Sequence, residues 1–349
     1  MLTEIMASRQ PQTESGTLTA ARMTRVVVAE VPETAGRDLS VEQSVLGADV
    51  ELVGYSWDDN EEHLISACRD ADVVLTDYAP LTRAVIEQLQ RCKLISVAAT
   101  GSDSIDLEAA ADANISVCAI DEYCTDEVAD HVILLMLALC RRLAEYHDQV
   151  QKQSLWQFDL LTGLARMRDL TLGIVGFGKI GQAVARRARG FGMTVMAHDH
   201  HPNEHVAADL DVQICGLAEL FAAADIVSLN CGLSADNEHL IDANAFRQMN
   251  RKPILINCAR GKLVDESALA EALDTGQVSG AGLDVLSDES PDLRTSKFTG
   301  RNNVILTPHI AFYSDASMLE SRKISASNIR NFLDGKHENV RQYIYHATN

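Results

Sequence analysis

The sequence lacks an apolar run long enough to cross a membrane. A membrane-spanning helix needs about 18 such residues, and the longest run here, Val132–Cys140, has nine. The N-terminus has no basic segment followed by an apolar core, so we expect no secretory signal. Residues 1–22 are polar, rich in Ser and Thr and without periodicity, which predicts a disordered tail. We expect no membrane partner.

Basic residues are scarce relative to acidic ones. The chain has 30 Lys and Arg against 50 Asp and Glu, a formal net charge of −20. This excess repels phosphate backbones and argues against nucleic-acid binding as the main task. A small anionic substrate is not excluded, because it responds to the local field of its own pocket.

The cysteines lack any CxxC pair. Most lie in apolar segments, where reduced, buried thiols are expected, and this usage is typical of a cytoplasmic protein. The eight are Cys68, Cys92, Cys118, Cys124, Cys140, Cys215, Cys231 and Cys258.

The pattern from Thr24 onwards alternates short β-branched runs with helical stretches. Strands that are apolar throughout and separated by helices predict parallel sheets covered on both faces. With 349 residues, 46% of them hydrophobic, we expect two such α/β domains, Rossmann-like or flavodoxin-like. The predicted strands are Arg25–Ala29, Asp72–Thr76, Leu94–Val97, Leu172–Val175, Thr194–Ala197, Ile226–Leu229, Ile254–Ile256 and Val304–Leu306.

Two long helices are predicted from apolar periodicity. Asp126–Tyr146 is predicted as one helix of several turns, and Asp315–Leu333 as another that ends before Gly335. The second helix follows the last predicted strand and can pack back on the first domain, which would make that domain discontinuous.

A glycine motif after an apolar strand predicts a dinucleotide site. Gly176, Gly178 and Gly181 form GxGxxG at the start of a helix, where a tight turn, close approach of a pyrophosphate and close helix packing are needed. Asp199 ends the next strand and can hold both ribose hydroxyls while repelling a 2′-phosphate, which favours NAD over NADP. The alternative is a glycine turn in another α/β fold.

Histidines cluster around Asp199. His198, His200, His201 and His205 can be interpreted as a metal cluster or as a solvated loop, and the second interpretation is favoured because no supporting pattern of ligands accompanies them. We therefore predict no metal. Protonated histidines here would weaken the exclusion of NADP.

Three ionisable residues each follow a predicted strand, which for Glu289 is the further run Gly282–Val285. Arg260, Glu289 and His309 can converge at the carboxyl edge of one sheet, where ligands of open α/β sheets bind. Taken singly, each has a plainer explanation: a surface ion pair, a solvated loop residue, and a helix-cap or packing histidine.

These motifs resemble the D-isomer-specific 2-hydroxyacid dehydrogenase family over nearly all of Thr24 to Val340. The specific stretches are Gly173–Gly181, Asn257–Glu266, Gly282–Glu289 and Thr307–Ser314. Tyr123–His131, Cys231–Leu233 and Phe312–Ser314 are most similar to the branch of the C-terminal-binding proteins, which contains both enzymes and NAD-binding corepressors. Many relatives have His at the position of Asn230, and Ser290 interrupts the commoner Glu-Pro pair.

The resemblance implies a reaction, the transfer of a hydride between NAD(H) and a small 2-hydroxy or 2-oxo carboxylic acid. Arg260 would bind the carboxylate and polarise the carbonyl. His309 would be the general acid and base, and Glu289 would orient and charge its imidazole.

The resemblance also implies binding residues. The substrate would contact Ala99, Thr100, Gly101, Arg260, His309 and Phe312, although Phe312 is equally explained as core packing. The implied cofactor contacts are Thr100, Val128, Gly176, Gly178, Lys179, Ile180, Gly181, Asp199, Cys231, Gly232, Asn237, Cys258, Ala259, Arg260, Asp284 and His309.

The implied architecture is a substrate-binding domain over residues 23–121 plus 310–349 and an NAD-binding Rossmann domain over 122–309, with the active-site cleft between them. Relatives imply a homodimer through the NAD-binding domains, with the Asp126–Tyr146 helix in the interface. Alternatives are a corepressor-like NAD-binding interaction protein, or the same chemistry on a phosphonate, phosphite or formate. The identity of the oxo acid is not predicted.

Overall fold

The computed structural model describes residues 22–30 and 38–347, so the predicted tail, apart from Arg22, lies outside the described residues. The chain forms two compact units. The first comprises the described residues up to Ala98, Ser102–Ala119 and those from Ser325 onwards; the second comprises Ala99–Gly101 and Ile120–Ile324. Each unit contains a predominantly parallel sheet with helices packed against it, which confirms the predicted α/β class.

The element bounds are as follows. The strands are β1 (Thr24–Glu30), β2 (Val50–Ser56), β3 (Val73–Thr76), β4 (Leu94–Val97), β5 (Ser116–Cys118), β6 (Thr171–Val175), β7 (Thr194–His198), β8 (Gln213–Ile214), β9 (Ile226–Leu229), β10 (Ile254–Asn257), β11 (Gly280–Leu283), β12 (Val304–Leu306) and β13 (Tyr343–Tyr345). The α-helices are α1 (Ser40–Leu46), α2 (Glu61–Cys68), α3 (Arg83–Ile86), α4 (Leu107–Asp112), α5 (Thr125–Cys140), α6 (Leu143–Gln153), α7 (Lys179–Gly190), α8 (Glu204–Asp209), α9 (Leu217–Ala223), α10 (Ala243–Gln248), α11 (Glu266–Asp274) and α12 (Asp315–Leu333).

The sheet of the first unit has the order β13-β5-β4-β3-β1-β2. All its neighbours pair in parallel except β13, which runs antiparallel to β5. Val26 and Leu75 of the sheet pack with Ala326 and Ile329 from the second half of α12. The C-terminal part of the chain therefore completes the core of this unit.

The sheet of the second unit has the order β12-β11-β10-β9-β6-β7-β8, and all its strands are parallel. Successive residues alternate between its two faces. Ile226 packs with α5 and α7 on one side, and Val227 packs with α9, α10 and α11 on the other. Strand order reverses between β6 and β9, and at such a reversal the loops leave a crevice for ligands.

The prediction of a single helix over Asp126–Tyr146 is wrong. α5 ends at Cys140 and α6 begins at Leu143, because Arg142 lies in the left-handed region with φ +51°. Its guanidinium donates to Glu145 at 2.6 Å and to the carbonyl of Thr162 at 3.2 Å. These contacts hold the chain in the turn and separate the two helices.

None of the described helices has the length and apolar character needed to cross a membrane.

Candidate active site

Arg260, Glu289 and His309 lie in loops that leave the carboxyl ends of β10, β11 and β12. These three strands are adjacent and parallel in the second sheet. Their loops therefore emerge at one edge, as the sequence predicted for an α/β ligand site.

Glu289 and His309 are in direct contact. Nδ1 of His309 lies 2.9 Å from Oε2 of Glu289, and the two side chains are 29% and 58% exposed. An ionised carboxylate can only accept, so Nδ1 carries the hydrogen in this contact. The other ring nitrogen, Nε2, is then the atom through which the imidazole can exchange a proton with a ligand.

The backbone of His309 has an unusual conformation. Its φ is +53°, a region that non-glycine residues rarely occupy unless the surroundings hold them there. Its N–H donates to the carbonyl of Asp284 at 2.8 Å. The loop that carries the imidazole is thus bonded to the end of the neighbouring strand.

Asp284 holds that loop through its side chain as well. The carboxylate is fully buried and accepts from Thr307 Oγ1 at 2.6 Å, from the N–H of Ile310 at 3.0 Å and from the N–H of Ala311 at 2.9 Å. The sequence predicted Asp284 only as a cofactor contact and missed this role in the loop of His309.

The loop of Arg260 is organised by a residue that the sequence reasoning missed. Asn257 is buried; its Oδ1 accepts the N–H of Ala259 at 3.0 Å and its Nδ2 donates to the carbonyl of Arg260 at 2.9 Å. Nη1 of Arg260 donates to the carbonyl of Ala259 at 2.9 Å. A Cβ on Gly261 would lie 2.0 Å from backbone atoms of Leu286, so only glycine lets this loop approach the one after β11. The Asn that opens the motif was the available signal.

The glycine motif has the geometry of a phosphate cradle. Gly176 has φ +94°, and a Cβ there would lie 2.7 Å from backbone atoms of Asn230 and Cys231. A Cβ on Gly181 would lie 2.1 Å from the carbonyl oxygen of Gly176. Around a Cβ built on Gly178, by contrast, no described atom lies within 4 Å. The loop is closed on the protein side and open on the other.

The N-terminus of α7 faces this opening. Gly178 is its N-cap, and within the described chain no side chain caps it. Uncapped amide groups and the helix dipole together favour an anionic group. Lys179 lies next to them, but its Nζ pairs with Glu122 at 2.9 Å and Asp121 at 3.2 Å. The hydrogen bond to Glu122 is the main cause of the raised pKa of Lys179.

Asp199 lies at the end of β7 beside the same loop. Its Oδ2 accepts the N–H of Phe177 at 2.7 Å and its Oδ1 accepts the N–H of His201 at 2.8 Å. A carboxylate has about four lone-pair sites, and the described residues use two of them, which leaves two for donors such as ribose hydroxyls.

The loop after β9 is closed by Asn237. Its Nδ2 donates to the carbonyl of Gly232 at 2.7 Å, and its Oδ1 accepts the N–H of Ser234 at 2.7 Å. Asn230 donates to Ser228, but its own buried Oδ1 has no hydrogen-bond partner among the described residues. A buried acceptor of this kind indicates a donor from a ligand.

Several predicted contacts form one small apolar cluster. Val128 is buried there with Cys124 and Ala311, and the partly buried side chains of Tyr123, Ile180, Cys258 and Phe312 pack against them. Burial raises the pKa of the Cys258 thiol well above its ordinary value, so it stays neutral. This cluster provides an apolar wall beside the ionisable residues, because the Phe312 and His309 rings lie edge to face 5.7 Å apart.

The short segment Ala99–Gly101 belongs by its contacts to the second unit, whereas the residues on either side of it belong to the first. The carbonyl of Ala99 accepts the N–H of Ile120 at 3.2 Å. Thr100 is exposed.

The residues present therefore fit a dinucleotide. Such a group would use four features of the described residues: the uncapped N-terminus of α7, the open face at Gly178, the spare acceptor sites on Asp199 and the buried Oδ1 of Asn230.

Known proteins resemble this chain in sequence and in fold. Residues 133–311 match the family model described as the D-isomer specific 2-hydroxyacid dehydrogenase, NAD binding domain. A glycerate dehydrogenase of Methylorubrum extorquens is 34% identical over 286 residues, 80% of this chain and 88% of that protein. A hydroxypyruvate reductase of Blautia hydrogenotrophica is 32% identical over 286 residues, 80% of this chain and 87% of that protein.

Solved structures show the same relationship. The D-lactate dehydrogenase of Aquifex aeolicus, in complex with NAD and lactic acid, has a TM-score of 0.81 and 29% identity, covering 91% of this chain and 98% of that one. The chain therefore belongs to the D-isomer-specific 2-hydroxyacid dehydrogenases, NAD-dependent oxidoreductases that act on the CH–OH group of 2-hydroxy acids.

Proposed function

We propose that Arg260, Glu289 and His309 catalyse the interconversion of a small 2-hydroxy acid and its 2-oxo acid, and that 2-oxo acid reduction is the main direction in cells. The observation that carries this assignment is the 2.9 Å hydrogen bond between His309 and Glu289, at the sheet edge that also bears Arg260. The names of the relatives, a glycerate dehydrogenase and a hydroxypyruvate reductase, support a substrate of about three carbons.

Each residue has a separate chemical task. Arg260 binds the substrate carboxylate through two parallel N–H groups and polarises the adjacent carbonyl. His309 donates the Nε2 proton to the carbonyl oxygen as negative charge develops there, and takes it back during oxidation. Glu289 holds the Nδ1–H tautomer and stabilises the imidazolium. Backbone groups of Ala99–Gly101 bind the carboxylate, and Phe312 lines the pocket.

NADH, when bound, supplies the hydride. The N-terminus of α7 and the loop of Gly176, Gly178 and Gly181 bind the pyrophosphate, with Lys179 beside it. Asp199 binds the ribose hydroxyls and repels a 2′-phosphate, so NADP is the poorer cofactor. The remaining contacts line the rest of the dinucleotide: Thr100, Val128, Ile180, Cys231, Gly232, Asn237, Cys258, Ala259 and Asp284.

The domain assignment follows from these roles. We assign NAD binding to residues 122–309 and substrate binding to residues 23–121 with 310–349. The free state of all eight cysteines supports a cytoplasmic protein.

We also propose a homodimer formed through the NAD-binding part. Within the described chain, α6 has no buried side chain, and the segment after it exposes 88% of Trp156 and 89% of Phe158. Leu134 of α5 and Leu143 of α6 are also more than half exposed. Large apolar side chains left this exposed are candidates for a protein–protein interface, and a second copy offers the same side chains to it.

A substrate panel tests the catalytic proposal. NADH oxidation is measured with glyoxylate, hydroxypyruvate, pyruvate and longer 2-oxo acids, and then with NADPH. Arg260→Ala and His309→Ala should each lower kcat/KM by at least about 10²-fold. Arg251→Ala and His63→Ala, which remove the same side-chain types from exposed positions, should not. Full activity in both site variants would refute the assignment; NADH binding without turnover of any acid would favour an interaction protein.

A further inference from the structure

His131 is a largely buried histidine that has no role in the proposed reaction. It lies on α5, and its side chain is 10% exposed. Its Nε2 is 3.0 Å from Oγ1 of Thr307 and 3.6 Å from Oδ1 of Asp284. Thr307 lies two residues before His309, so this imidazole touches the loop that carries the proposed acid.

The direction of each hydrogen bond follows from counting protons. The ionised carboxylate of Asp284 can only accept, so the hydroxyl of Thr307, 2.6 Å away, donates to it. That hydroxyl has no second proton, so at the 3.0 Å contact it accepts, and Nε2 of His131 donates. The chain of donors runs from His131 to Thr307 to Asp284.

Asp284 is also hydrogen-bonded to the loop that carries His309. The two N–H groups that follow His309, those of Ile310 and Ala311, donate to its carboxylate, and its backbone carbonyl accepts the N–H of His309 itself. A left-handed φ of +53° persists only where neighbouring contacts over-determine it. Asp284 is therefore one of the groups that hold His309 in this conformation.

We propose that His131 is a positioning residue for His309, acting through the hydroxyl of Thr307 and the carboxylate of Asp284. The inference rests on the proposed function, in which His309 exchanges the substrate proton. It adds a requirement that α5 supply an N–H donor at this position. Without that donor the hydroxyl of Thr307 rotates more freely, Asp284 loses a fixed donor, and the imidazole samples orientations that do not reach the carbonyl oxygen.

Four variants of the full-length enzyme test this path from His131 through Thr307 and Asp284 to His309, which we call the relay. Thr307→Val keeps the shape of the side chain but removes the hydroxyl, whereas Thr307→Ser keeps the hydroxyl. His131→Leu removes the donor, whereas His131→Gln offers an N–H at similar reach. For each variant, kcat and KM are measured with hydroxypyruvate, the Kd of NADH by fluorescence titration, and folding by thermal unfolding.

The expected result is a split between kcat and binding. Thr307→Val and His131→Leu should lower kcat by at least about tenfold, while KM and the NADH Kd change by less than about threefold, because loop order and not affinity is lost. Thr307→Ser and His131→Gln should keep kcat within about threefold of the natural enzyme. Ser116→Ala, which removes a buried hydroxyl from the first unit, controls for general loss of packing.

Two results would overturn the relay. One is near-natural kcat in Thr307→Val and His131→Leu; the other is an equal loss in the Ser and Gln variants. His309→Gln is assayed alongside. An inactive His309→Gln with a fully active Thr307→Val refutes the relay alone, whereas a fully active His309→Gln refutes the catalytic assignment and the relay with it.

Discussion

The carboxylate of Asp199 accepts the backbone N–H of Phe177 at 2.7 Å, although the two residues belong to different strand–loop segments. Phe177 stands between the first two glycines of the phosphate loop. One side chain therefore closes the glycine loop and, in the proposed function, also presents negative charge where a 2′-phosphate would lie.

Removal of that charge should change cofactor preference. In Asp199→Asn the amide can still accept one backbone N–H but no longer repels a phosphate, so the ratio of kcat/KM for NADPH over NADH should rise at least about tenfold. The ratio is measured with one oxo acid at fixed ionic strength. Asp209→Asn, at an exposed position of α8, should leave it unchanged; an unchanged ratio in Asp199→Asn would show that the carboxylate does not face the ribose.

Glu289→Gln should slow reduction without abolishing it. The amide can still accept a hydrogen bond from Nδ1 of His309, but it stabilises the imidazolium less than a carboxylate does. Because Glu289 is 58% exposed and solvent screens its charge, we expect a loss of about tenfold in kcat and not more than 100-fold.

Steady-state assays of Asp288→Asn provide the matched control, since this change removes the same charge one position away, where the carboxylate accepts the N–H of Ser290 in its own loop. Equal losses in the two variants would mean that loop charge, and not the contact with His309, matters.

The ion pair of Lys179 should oppose cofactor binding. Its Nζ is held by Glu122 and Asp121, with Glu122 as the main cause of its raised pKa, and a bound pyrophosphate would compete for the same ammonium group. Glu122→Gln should therefore tighten NADH binding about two- to fivefold, the size expected for an exposed ion pair. Fluorescence titration at two salt concentrations measures it. Weaker binding would instead mean that the pair orders the phosphate loop.

Buried thiols should make the fold sensitive to alkali. Burial raises the pKa of Cys68, Cys92 and Cys118 to about 12, whereas an unfolded thiol titrates near 9. The folded chain thus keeps protons that the unfolded chain releases between these pH values. The stabilisation is complete below pH 9 and falls as the pH rises towards 12, by up to about 1.4 kcal/mol per pH unit for each thiol.

Urea unfolding at pH 8, 9 and 10 measures this loss, and Cys68→Ala should reduce the slope by one thiol's share. The same thiols should resist iodoacetamide at pH 8 in the folded chain and react in urea, because only about one in 10⁴ is ionised when the pKa is 12. An unchanged slope in Cys68→Ala would contradict the assignment.

The double variant Trp156→Ser/Phe158→Ser should shift the protein from dimer to monomer. Both side chains are almost fully exposed in the single chain, and their apolar surface gains most from burial in a partner. Analytical ultracentrifugation gives the mass of each species. Met23→Ser/Tyr78→Ser, which removes exposed apolar side chains from the first unit, should leave the mass unchanged; a natural protein that is monomeric at micromolar concentration would refute the dimer.

Much of the fold and of the candidate site was predictable from the sequence alone. Apolar strands alternating with helices specify two parallel α/β units, because both faces of such strands must be covered. The glycine motif with Asp199 predicts a dinucleotide loop, and the three ionisable residues after predicted strands predict the reacting edge. Local sequence is enough for these predictions, because the left-handed conformation at Gly176 and the negative charge of Asp199 are properties of the residues themselves.

Other features were decided only by tertiary contacts. The turn between α5 and α6 is held partly by a hydrogen bond from Arg142 to the carbonyl of Thr162, twenty residues away, which periodicity does not record. β13 pairs antiparallel with β5 across more than 200 residues of chain. His131, Thr307 and Asp284 lie far apart in the sequence and meet only in the fold. Buried polar groups have little access to water and therefore form hydrogen bonds with one another. The sequence does not show which distant groups will become partners.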